Sequence, residues 1–133
     1  MSRETSVQEW LNKAESDRDT AKYLLAGEKY ADCAFYCQQA VEKLLKAAWV
    51  AQTGQRPPRI HDLRALLDKA SPDADNENIE NAVNSINGYY SGSRYPLDSV
   101  DPSIFQKPLA ESAIQKTDQV FEWFLARINF DKE

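Results

Sequence analysis

An arginine between two tyrosines is a pairing that can do chemistry with phosphates. In the stretch GYYSGSRYPLD, residues 88–98, Arg94 follows Tyr90 and precedes Tyr95, among the turn formers Gly88, Ser91, Gly92, Ser93 and Pro96. A guanidinium grips phosphate oxygens bidentately, and aromatic rings beside it can stack on bases. The same residues can instead lock a loop onto the body of the protein by burying a tyrosine ring, and both readings stand. A second concentration of charge runs from 43 to 64, where Lys43, Lys46, Arg56, Arg59 and Arg64 are offset by one acid, Asp62. The chain as a whole carries a net charge of −5, which disfavours indiscriminate binding to polyanions. The basic run is therefore a candidate for a local phosphate or partner site, whereas Asp73, Asp75, Glu77 and Glu80 read as a solvated face.

His61, the only histidine, directly precedes Asp62. An imidazole suits proton transfer near neutrality, so His61 either works in a site or fixes its link to the protein body by hydrogen bonds. Asp17 and Glu42 fall among apolar helical positions. As a carboxylate pair across two helices, their like charges would raise one pKa. More economically, they are partners for Lys46, Arg94 or tyrosine hydroxyls in a polar network that can line a pocket, with Gln38 and Gln39 satisfying groups beside it. Cys33 and Cys37 are four apart and share a helix face, where disulfide geometry is poor. They lack further metal ligands nearby and read as small buried thiols.

Helical periodicity supplies the frame for these groups. A first helix is expected from Ser6, since Ser6 and Glu9 have capping-box spacing. Its stripe is Trp10, Ala14, Ala21 and Leu24, with Leu11 and Leu25 alongside. Gly27 is placed to close it at the C′ position. The second helix, about 30–52, carries Ala34, Cys37, Val41, Leu44, Ala48 and Ala51 on one face and Phe35, Leu45 and Trp49 on another, so it is central. After the link TGQRPPR a short helix is expected near 62–70, with Leu63, Leu66 and Leu67 inward. Another covers about 76–88 on Ile79, Ala82, Val83 and Ile86. The last runs from about 107 to 129 with Pro108 in its first turn. Its stripe is Leu109, Ala113, Val120, Phe124 and Ile128, thickened by Phe121, Trp123 and Leu125.

No segment alternates with period two between hairpin turns, so strands are not required. The fold class is all-α: an antiparallel up-and-down bundle of four long helices plus one short helix, one domain over 1–133. The 42% hydrophobic and 28% charged content fits such a bundle and argues against disorder. No apolar run reaches the roughly 18–20 residues that span a bilayer, and MSRETSVQEW lacks the apolar core of an export signal. A cytoplasmic location without membrane attachment is expected. Phosphate-cradling glycine loops, nucleophile elbows and paired metal-ligand spacings are missing, so no cofactor, metal or catalytic residue is assigned.

Four stretches in order carry a resemblance: AESD (14–17) with Ala21, CQQAVEKLLK (37–46), RPPRIHDL (56–63) and SRYPLD (93–98). Together they resemble the HEPN domain family over about residues 7–128. The resemblance implies a helical bundle that forms a homodimer. It further implies pairing with a minimal nucleotidyltransferase in a toxin–antitoxin-like or regulatory couple, and binding of a nucleotide or RNA. The wider superfamily includes metal-independent ribonucleases that place a histidine after an arginine with four to six residues between them. Here Arg94 matches the arginine, but Ser99, Val100 and Asp101 occupy the places expected of the histidine, so the motif is incomplete. The expectation is a binding module in which Arg94 and Lys46 hold phosphate and Tyr90 or Tyr95 stacks. His61 would line the same cleft, with Asp17, Gln39 and Glu42 in support. The alternatives are a ribonuclease with a divergent site and a purely structural dimerisation subunit.

Overall fold

The computed structural model describes residues 3–71, 76–89 and 105–130, with side chains from residue 7 onward. Among the described residues there are five helices and no strand: α1 (Arg3–Ala26), α2 (Tyr30–Thr53), α3 (Leu63–Ala70), α4 (Glu77–Asn87) and α5 (Lys107–Arg127). The chain is all-α. α1 is already helical at Arg3, so the Ser6–Glu9 spacing lies inside the helix and does not mark its start. Its buried stripe is Val7, Leu11, Ala14 and Ala21, with Asp17 among them; Trp10 stands half-buried at the rim.

Small residues on the facing side of α2, Cys33, Ala34, Cys37 and Ala40, are likewise fully buried. Short side chains on both helices permit close approach, and α1 packs along α2 more extensively than any other pair. The turn between them is a Schellman motif. Glu28 N–H donates to the Leu25 carbonyl at 3.0 Å and Lys29 N–H to that of Leu24 at 2.8 Å. This pattern puts Glu28, not Gly27, at the left-handed C′ position, with φ 62°. α2 ends in the usual way, on Gly54 at φ 70°, whose N–H reaches the Val50 carbonyl at 2.8 Å.

α2 contacts all four other helices. α3 sets Leu63, Leu66, Leu67 and Ala70 into the core. Its first turn is held twice: Asp62 accepts from the Arg64 N–H at 3.1 Å, and Asn87 accepts from the Leu63 N–H at 2.7 Å. Asn87 also donates to Asp62 at 2.9 Å, tying the start of α3 to the end of α4. Asn76 caps α4 by accepting from the Ile79 N–H at 3.0 Å, and Ile79, Ala82, Val83 and Ile86 face inward.

α5 runs antiparallel to α1. Near one end Gln8 donates to the Phe130 carbonyl at 3.2 Å, and at mid-helix Arg18 meets Asp118 at 3.3 Å. Lys22 reaches the same carboxylate at 3.1 Å, and the Arg18 guanidinium lies 4.1 Å from the centre of the Phe121 ring. α4 is antiparallel to α5 in turn: Ile79 lies beside Trp123, while Tyr89 meets Phe105 edge-on at 6.1 Å. α1, α2, α4 and α5 therefore alternate in direction, with α4 the shortest of the four at 11 residues. Leu125 turns outward and is 44% exposed, whereas Thr117 completes the buried side of α5.

Cys33 and Cys37 are free thiols buried in a small cluster with Ala21, Ala110 and Ala113. A hydrogen bond between them lowers the pKa of Cys33 despite burial, and the same bond together with burial pushes Cys37 far above the ordinary thiol range. Among the described residues no helix is long and apolar enough to cross a membrane.

Candidate functional site

Two acids stand where apolar stripes should exclude them, and each is held by its own cations. Asp17 meets Lys13, one turn earlier on α1, at 3.3 Å and Lys43 of α2 at 3.8 Å. Glu42 meets Lys46, one turn later, at 3.2 Å. It also holds His61, whose Nδ1 lies 3.1 Å from each carboxylate oxygen. Asp17 is 3%, Glu42 2% and Lys46 5% exposed, so these are buried charges with local neutralisation.

The amides join the two ion pairs. Gln38, fully buried, donates to the His61 carbonyl at 3.1 Å and accepts from Gln39 at 2.9 Å. Gln39 accepts in turn from Lys43 at 3.0 Å. Polar contacts thus run from Asp17 through Lys43, Gln39 and Gln38 to the backbone of residue 61. From its imidazole they return through Glu42 to Lys46. Helical spacing makes this possible, since 39 and 43, and 42 and 46, are i,i+4 neighbours on α2. Burial lowers the pKa of Lys43, against the charges of Glu42 and Asp17, which raise it.

At Lys46 the network opens to the surface. A cleft of about 720 Å³ lies between the first half of α1, the end of α2 and the following link. Lys13, Lys46, Arg56 and Arg59 line it with a single acid, Glu9. Trp10 forms one wall, its ring centre 5.4 Å from the Lys46 ammonium, and Pro57 and Pro58 form another. Gly54 in the left-handed conformation reverses the chain at the end of α2, and the two prolines restrict the backbone that presents both arginines. A cleft of this volume suits a ligand of nucleotide size. Four cations against one carboxylate suit an anion, and the guanidinium groups suit phosphate in particular.

Of the sequence candidates, Lys46 lines the cleft. His61 sits behind it on Glu42, outside the lining, and Asp17, Gln39 and Glu42 lie on the network. Arg94, Tyr95 and Tyr90 fall outside the described residues. Arg64, part of the basic run, turns instead to Asp68 at 3.5 Å and Glu80 at 3.7 Å. Trp10 and Lys13 are cleft residues not named as candidates from the sequence. Lys13 carries a legible signal, its i,i+4 spacing to Asp17; Trp10 carries none, because a rim tryptophan and a core tryptophan share one periodicity. Among the described residues no group of three His, Cys, Asp or Glu is placed to hold a metal ion.

The model of the HEPN domain family matches residues 7–128. The chain belongs to the HEPN domain family. Two solved structures share its fold. One is TT1696 from Thermus thermophilus, with a TM-score of 0.80 and 25% identity over 95% of this chain and 98% of that one. The other is ST0689, an archaeal HEPN homologue, with a TM-score of 0.75 and 24% identity over 92% and 98%. No curated protein matches this HEPN chain.

Proposed function

We propose that this HEPN domain is a cytoplasmic, homodimeric binding module that pairs with a minimal nucleotidyltransferase in a toxin–antitoxin-like or regulatory couple, its basic cleft holding the phosphate of a nucleotide or RNA. The observation that carries the binding reading is the convergence of Lys13, Lys46, Arg56 and Arg59 beside Trp10 in a chain of net charge −5. A local positive field in an acidic molecule selects ligands that fit the cleft over polyanions in general. Arg94, Tyr90 and Tyr95 join this reading through the sequence alone, as a further phosphate contact and stacking rings.

A second reading, a metal-independent ribonuclease with a divergent site, draws on one observation. Glu42 orients the imidazole of His61 through Nδ1, as a carboxylate orients a general base.

Calorimetric titration with ATP, GTP and a short oligouridylate, without metal, tests the first reading. Saturable binding by the wild type that weakens in Arg56→Ala and Arg59→Ala supports it, and no binding to any of the three removes it. Incubation with RNA decides between the two: intact RNA favours the binding module, and cleavage lost in His61→Ala favours the ribonuclease. Light scattering at micromolar concentration tests the dimer, which a monomer mass near 15.1 kDa would exclude. A neighbouring gene that encodes no nucleotidyltransferase counts against the partner.

A further inference from the structure

Glu42 is one carboxylate shared by two bases, Lys46 on Oε2 and His61 within reach of both oxygens. Lys46 approaches from its own helix and lines the cleft; His61 approaches from the link and lies outside it. Lys46 therefore has two claims on its ammonium, the carboxylate behind it and an anion in front. Whatever strengthens the hold of His61 on Glu42 loosens the hold of Glu42 on Lys46, because the imidazolium neutralises charge that the ammonium would otherwise neutralise. We infer that His61 is a positioning residue that sets the anion affinity of the cleft through Glu42 and Lys46, and that anion binding is linked to proton uptake by its imidazole. This inference rests on the phosphate-binding reading of the cleft.

The sign follows from the geometry. An anion that draws Lys46 forward leaves Glu42 with less positive charge around it, which favours the charged imidazolium. Binding then takes up a proton, and by reciprocity affinity rises as pH falls. The other described charges near this trio have partners of their own or line the cleft, and Lys43 also feels the charge of Glu42. Lys43 turns to Gln39 and Asp17, and Lys13 to Asp17. Asp62 is taken by Arg64 N–H and Asn87. Glu9, Arg56 and Arg59 line the cleft with Lys46. From α1, Trp10 is the residue set against the Lys46 ammonium, and it is uncharged.

Three variants separate this role from a structural one. The His61 side chain is 62% exposed, so its replacement leaves the core filled. In His61→Gln, Glu42 has Lys46 as its remaining ion-pair partner, with the Lys43 charge nearby, and ATP affinity falls about five-fold or more, the lower end of typical coupling between sites. In His61→Arg a permanent positive charge satisfies Glu42, and ATP binds at least as tightly as to the wild type at low pH, without pH dependence from this source. Glu42→Gln removes the link and makes the wild-type and glutamine forms of position 61 equivalent.

The experiment is calorimetry of ATP and of a short oligouridylate on the wild type and these variants, in two buffers of different ionisation enthalpy between pH 6 and 8. Proton release or uptake by ATP itself is common to all proteins and cancels in the comparison, and the oligouridylate arm has no such terminal phosphate to titrate. Proton uptake by the wild type that vanishes in His61→Gln and His61→Arg, with affinities ordered as above, supports the inference. Equal affinity and equal proton uptake in all three overturn it while leaving phosphate binding intact. Absence of binding by the wild type overturns the phosphate-binding reading itself.

Discussion

His61 Nδ1 lies 3.1 Å from both carboxylate oxygens of Glu42, joining a side chain that is 62% exposed to one that is 2% exposed. With Lys46 at 3.2 Å from the same group, the contact pins the link after α2 to the interior of the bundle. Glu42→Ala leaves the largely buried Lys46 ammonium at the cleft wall without its carboxylate, and stability falls by about 3 kcal/mol. Replacing both partners, Glu42→Met with Lys46→Met, recovers most of that loss. Urea denaturation of the single and double variants measures both effects. A single variant within the usual surface range would show that the pair contributes nothing.

The α1–α2 turn offers the opposite outcome, a stabilising change. Glu28 adopts φ 62°, where a side chain crowds its own backbone, and Gly27 beside it does not relieve this. Glu28→Gly should raise stability by about 0.5–1 kcal/mol, since the relieved strain exceeds the added freedom of the unfolded chain. A lower melting temperature in Glu28→Gly would mean the Glu28 side chain makes a compensating contact.

Lys43 gives a pH dependence whose direction is fixed. Burial, the larger effect, holds its folded pKa below the ordinary 10.5. Between the two values the unfolded chain binds more protons than the folded one, so stability rises with pH across that window. Tyr89 acts the other way above pH 10.0, because burial raises its pKa in the folded state and stability then falls as the phenol ionises in the unfolded chain. Comparing wild type with Lys43→Met cancels the tyrosine. The variant should lack the rising limb, and identical curves would contradict the assignment.

Arg56 and Arg59 are exposed on the link, and their contribution is electrostatic. Each alanine variant should keep stability within about 0.5 kcal/mol of wild type. Each should also reduce the slope of log affinity against log salt for a single-stranded oligouridylate by about 0.7. Fluorescence titration across a salt series reads the slope directly. An unchanged slope in both variants would move the phosphate away from this cleft.

Periodicity makes the helices legible, since Ile79, Ala82, Val83 and Ile86 can share one face only if α4 is a helix. It also separates Glu42 and Asp17 from their apolar surroundings as groups in need of partners. Which cation each receives is a matter of how α1 and the 54–62 link pass over α2, and that is set by tertiary packing. Hence Lys43 reaching across to Asp17, and His61 to Glu42, are not readable as pairs. Trp10 reads as core because its spacing fits the stripe; the true stripe is rotated onto Val7 and Leu11, which leaves the indole as a cleft wall. Gly27 attracts the C′ assignment by residue type, yet the hydrogen-bond register of the turn puts that position one residue later.

Where an anion binds is the most direct test of the basic cleft. Amide and indole NMR signals followed during titration with ATP and with a short oligouridylate at low salt report that position. Saturable shifts of the Trp10 indole and of the Gly54, Gln55, Arg56 and Arg59 amides are expected, while the Trp123 indole, beside α4, stays in place. Saturable shifts elsewhere, with Trp10 and the 54–59 link unmoved, would contradict the assignment of the cleft as the phosphate site.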